Sequence, residues 1–142
     1  MRALLLALLI IATPVMAAAD IIMHRDPGCG CCEQWAARAE KILGRHVRVV
    51  DDAERATLQK HYGITPDLAS CHTAIIDGYA IEGHVPLADV QRLLKMRPKG
   101  VRGLAVPGMP IGSPGMEVQG MKAQPYQVIA FGAAGQKIFA QH

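Results

Sequence analysis

The chain has 142 residues, 51% of them apolar, and a formal net charge of +3. That length suits one domain, and no repeat shows at periods of roughly 20–50 residues. Its basic residues are scattered and only 4% of the chain is aromatic, which excludes the dense basic stripe of a nucleic-acid binder.

The first stretch reads as a leader. Residues 1–18, MRALLLALLIIATPVMAA, carry one charge, at Arg2. The apolar run Ala3–Ala12 is shorter than the roughly 20 residues that a membrane-spanning helix takes. The basic start, short apolar core, Pro14 and small residues at Val15, Ala17 and Ala19 predict a signal peptide over 1–19, cleaved after Ala17 or Ala19. A retained membrane anchor is the competing reading. Cleavage leaves a single domain, 20–142, with net charge +2 and no membrane contact expected.

Asp20–His24 reads as a short buried strand ended by the turn residues Asp26, Pro27 and Gly28. In Cys31–Leu43, Trp35, Ala36, Ala39, Ile42 and Leu43 recur at helical spacing, and Gly44 suits the helix end. His46–Val50 reads as a second strand. Asp51 or Asp52 is expected to cap a second helix that runs to about His61 and stops at Gly63. After a loop over Ile64–Ser70, His72–Ile76 reads as a third strand. Asp77–Gly78 predicts a tight turn into a fourth strand, Tyr79–Glu82. Pro86 opens a third helix that ends near Met96, before Pro98. The predicted order is β-α-β-α-β-β-α. Residues 100–125 hold six glycines and four prolines and read as a long loop. Tyr126–Phe131 and Gln136–Ala140 read as a terminal hairpin, so 100–142 is expected to form a loop plus hairpin extension.

The four cysteines carry the chemistry. Cys29, Cys31 and Cys32 lie within four residues, and Cys71 stands apart. A bridge within the triple closes almost no loop and would add little stability in the chain-entropy model. The triple also opens the first helix, where free backbone N–H groups and the helix dipole favour thiolate over thiol. Antiparallel pairing of the third strand with the first would bring Cys71 and His72 to the same edge. His84, just past the fourth strand, would return there too.

Clustered thiolates select soft metals: Cu(I), zinc or iron–sulfur centres. Zinc sites usually pair cysteines from two separate knuckles, which a triple facing one cysteine fits less well. The loop adds Met109, Met116 and Met121 beside Gly or Pro, and thioethers suit Cu(I) better than zinc. Copper is therefore favoured, and close thiolates can bridge several Cu(I) ions. His72 and His84 are candidate ligands or donors behind the ligands. Met23 reads as core, His46 and His61 as surface or capping residues. Thiol–disulfide exchange stays open, because Cys29 and Cys32 form a C-x-x-C at a helix start, the thioredoxin-like arrangement. Against simple exchange, Cys31 would compete as a resolving thiol, and Cys71 stands where such oxidoreductases carry a proline.

Four motifs carry a resemblance over essentially the whole mature chain: CGCC at 29–32, SCHTA at 70–74, IEGHVP at 81–86 and GLAVPGMPIGSPGME at 103–117. Together they resemble the CopG-type periplasmic copper-resistance family. The resemblance implies a thioredoxin-like α/β domain with copper held by the sulfurs of Cys29, Cys31, Cys32 and Cys71. It also implies a role in copper tolerance through interconversion of Cu(I) and Cu(II). Met109, Met116, His72 and His84 match motif positions without an assigned ligand role. Expected partners are copper ions and other periplasmic copper-handling proteins. A passive copper metallochaperone and a thiol–disulfide oxidoreductase are the alternatives.

Overall fold

Among the described residues, short strands rich in β-branched residues alternate with amphipathic helices up to Met96, and all the strands join one sheet. A computed structural model describes residues 19–142; residues 1–18 of the predicted leader lie outside them. The order is β1 (Ile21–Arg25), α1 (Gly30–Leu43), β2 (Val47–Asp51), α2 (Arg55–Tyr62), a 3-10 turn (Pro66–Leu68), β3 (His72–Ile76), β4 (Tyr79–Glu82), α3 (Leu87–Met96), β5 (Val101–Ala105), β6 (Gln127–Gly132) and β7 (Gly135–Gln141). This is a mixed α/β fold with a seven-stranded sheet in the order β2-β1-β3-β4-β5-β6-β7.

The two predicted βα units give the parallel pair β1–β2, and the Asp77–Gly78 turn gives the antiparallel pair β3–β4. β3 lies antiparallel beside β1, with Arg25 opposite His72. Ile21, Met23, Trp35, Ala39, Ile76, Ile81, Leu93 and Leu104 are fully buried and form the centre of the core. Among the described residues, no helix is long and apolar enough to cross a membrane.

Two expectations need correction. Residues 101–105, expected in a loop, form β5, parallel to β4. The hairpin β6–β7 pairs onto β5 and so extends the same sheet. Asp51 and Asp52 do not cap α2. Asp51 ends β2 and pairs with Arg25, while Asp52 binds His24 and accepts the Glu54 N–H. The N-cap of α2 is Glu54, and the helix starts at Arg55.

Candidate metal centre

Strand pairing brings four chain segments to one edge of the sheet. β1 ends at Arg25, and the chain turns through Gly28, whose φ of +74° favours glycine, into α1. The Cys29 N–H donates to the Asp26 carbonyl at 3.2 Å, and the Asp26 N–H donates to the Cys71 carbonyl at 3.0 Å. The turn is thus tied to the start of β3. Arg25 braces it from below, donating to the Cys29 carbonyl at 2.9 Å, to Glu33 at 2.8 Å and to Asp51 at 2.6 Å. Cys29 caps α1 without a side-chain hydrogen bond. The first-turn N–H groups, with their partial positive charge, thus have no side-chain cap from Cys29.

The four sulfurs lie within 4.8 Å of one another. Cys29 and Cys32 are joined as a disulfide, and Cys31 and Cys71 are free. Cys31 Sγ sits 3.3 Å from Cys29 Sγ, and Cys71 Sγ sits 3.4 Å from Cys32 Sγ. Cys29 and Cys31 are half-buried, while Cys32 and Cys71 are buried. Burial, reinforced by the nearby Cys31, pushes the Cys71 thiol up to about 12.

A second donor group, Cys71, His72 and His84, also fits within 4.8 Å. His84 Nε2 lies 3.1 Å from Cys71 Sγ, and its Nδ1 lies 2.9 Å from the Pro114 carbonyl oxygen. A carbonyl can only accept, so Nδ1 carries the proton and Nε2 turns its lone pair toward the sulfur. Burial lowers the His84 pKa, which keeps that lone pair free. His72 is fully buried, with Nδ1 3.6 Å from Cys71 Sγ and Nε2 without a hydrogen-bond partner. Burial, then the neighbouring His84 and Arg55, hold its pKa well below the ordinary histidine value. The His72 ring packs against Trp35, with centroids 4.9 Å apart, and Trp35 Nε1 donates to the Val85 carbonyl at 2.9 Å. A cluster of sulfur and neutral imidazole donors matches the preferences of copper.

The Gly/Pro-rich loop returns to this edge. Gly115 lies so close to α1 that a Cβ there would meet the Cys31 carbonyl oxygen at 2.9 Å. Glu117 pairs with Arg38 on α1, and the Ser70 hydroxyl donates to the Gly108 carbonyl. Met116 is half-buried beside Gly115, and Met109 is half exposed beside Gly108. Met121 is exposed at 55%. Met23 is core, and His46 and His61 are exposed. A surface groove between Leu68, Pro107 and Tyr126 contains none of the sulfur or imidazole donors.

Sequence reasoning missed the support beneath Cys71. Glu82 is fully buried at the end of β4 and accepts from Arg55 at 3.1 Å, Gln59 at 2.7 Å, the Ser70 N–H at 2.8 Å and Thr73. Arg55 also reaches Asp26 at 2.9 Å and the Ser70 carbonyl at 2.6 Å. One buried pair therefore holds the chain on both sides of the cluster. A charge ending the otherwise apolar strand YAIE was the available signal.

A family model described as a protein of unknown function, DUF411, matches residues 68–116. No curated protein matches the chain. Two solved structures do. One, titled copper resistance protein CopG, form 1, is 37% identical and superposes with a TM-score of 0.78, covering 89% of this chain and 98% of its own. The other, form 2, is 38% identical with a TM-score of 0.77, covering 87% and 97%.

Proposed function

The chain belongs to the family of CopG copper resistance proteins, and on that premise we propose that it holds Cu(I) on the thiolates of Cys29, Cys31, Cys32 and Cys71. The observation that carries this is the meeting of four sulfurs within 4.8 Å, one of them 39 residues away from its neighbour in sequence. His84 is the nitrogen donor, held in its metal-ready tautomer by Pro114, and His72 stands beside it. Met109 and Met116 are candidate further ligands at the loop. Shared thiolates favour a cluster of several copper ions over a single ion. Thiolates stabilise Cu(I) and imidazole eases access to Cu(II), which supports interconversion of the two states over passive carriage.

The C-x-x-C at the start of α1 and the order β-α-β-α-β-β-α support a thioredoxin-like core, with 100–142 as its extension. The leader over 1–19 supports export of a single domain, 20–142, to the periplasm, where other copper-handling proteins are the expected partners. The Cys29–Cys32 disulfide favours a second reading, thiol–disulfide exchange. Its mark would be catalytic turnover of a model disulfide by the copper-free protein, inhibited by copper.

Anaerobic titration of the reduced protein with Cu(I) against a chromogenic chelator tests the first reading. Wild type is expected to withdraw copper from the chelator, and a variant with Cys29, Cys31 and Cys32 all changed to Ser to lose most of that capacity. Equal competition by the two proteins would end the proposal.

A further inference from the structure

The disulfide occupies a telling position. Cys29 and Cys32 are joined, yet a free thiol lies against each of the bridged sulfurs: Cys31 at 3.3 Å from Cys29, Cys71 at 3.4 Å from Cys32. Their Cα atoms are 5.4 Å apart, within the ordinary span of a bridge. The pair also runs from the half-buried side of the cluster to its buried side.

The two overlapping donor groups respond differently to that bond. The all-sulfur group loses two thiolates when it forms. The group of Cys71, His72 and His84 contains neither bridged cysteine and keeps every donor atom, as does Cys31. Oxidation of the pair consequently leaves donors in place for a metal product.

Resting on the copper-binding reading above, we propose that Cys29 and Cys32 are the electron store of this site, reducing Cu(II) to Cu(I) while Cys31, Cys71 and the imidazoles hold the product. The step balances with copper as the oxidant. Each of two Cu(II) ions gains one electron. The Cys29 and Cys32 thiols lose two electrons and two protons, the protons pass to water, and an S–S bond forms between them. Return to the dithiol takes an external dithiol by exchange. Cys29 and Cys32 are catalytic residues in this step. Cys31 and Cys71 retain the metal.

The test adds two equivalents of Cu(II) to fully reduced, metal-free protein without oxygen. Bound Cu(I), remaining thiols and the position of the disulfide are then measured. The expected result is two Cu(I) retained on the protein, two thiols lost and a bridge mapped to Cys29–Cys32. Cys29→Ser and, separately, Cys32→Ser should slow the reduction at least about tenfold, since neither retains the pair. The double variant Cys31→Ser with Cys71→Ser should still reduce Cu(II) but release Cu(I) to the chelator. An unchanged thiol count with Cu(II) retained, a bridge mapped to Cys31 or Cys71, or single variants as fast as wild type would overturn the proposal. Cu(I) supplied directly separates the two levels. If the reduced protein binds it but does not reduce Cu(II), only the electron-store role falls. If it does not bind it, the copper-binding reading falls first.

Discussion

Cys71 is buried, and its thiol is pushed up to about 12. Near neutral pH it therefore keeps its proton until a metal takes its place. Copper and proton compete for the same sulfur, so binding at Cys71 releases a proton and strengthens as pH rises. Titrations of reduced protein in two buffers of different ionisation enthalpy should show a proton release that falls by about one proton per chain in Cys71→Ser. An unchanged release would place Cys71 outside the ligand set. At this scale the sequence displayed the donors but not their states. Cys29, Cys31, Cys32, Cys71, His72 and His84 were legible from residue type and strand topology. The proton on His84 Nδ1 was not, because a backbone carbonyl 30 residues away at Pro114 fixes it.

Elements decide whether those donors stay together. α2 contributes Arg55, whose side chain is 7% exposed, and β4 contributes Glu82, whose side chain is 0% exposed. Removing one partner of a buried ion pair strands the other charge, typically at about 3–5 kcal/mol. Arg55→Met should therefore lower the denaturation midpoint strongly. Adding Glu82→Gln should recover part of the loss, because it removes the stranded carboxylate. A double variant no more stable than the single would show that Arg55 acts through Asp26 and Ser70 instead. The strand pairs around the site were legible because β1, β3 and β4 carry clear apolar runs between turn signals. β5 was not. Its sequence VRGLA breaks alternation at Arg102 and Gly103, and the glycine is there because a Cβ would strike the Ala80 carbonyl oxygen at 1.9 Å. The requirement belongs to the neighbouring strand, so it left no local pattern. α2 began later than expected: Asp51 ends β2 against Arg25, and Asp52 accepts the Glu54 N–H in the turn before the helix.

Across the whole molecule, the C-terminal third does two jobs. Its strands extend the sheet from β4 outward, and the intervening loop comes back across α1 to touch the cysteine turn through Gly115 and His84 through Pro114. A glycine- and proline-rich composition excluded helix there, but it carried no record of where the loop would lie, since backbone carbonyls and close approaches make the contacts. The result is one corner at which the first turn of α1, the start of β3, the segment after β4 and the loop all meet. The most direct test of what that corner is for is copper K-edge X-ray absorption on reduced protein loaded with Cu(I). A first coordination shell dominated by sulfur, diminished in Cys71→Ser, is the expected result. A shell of nitrogen and oxygen alone would contradict it.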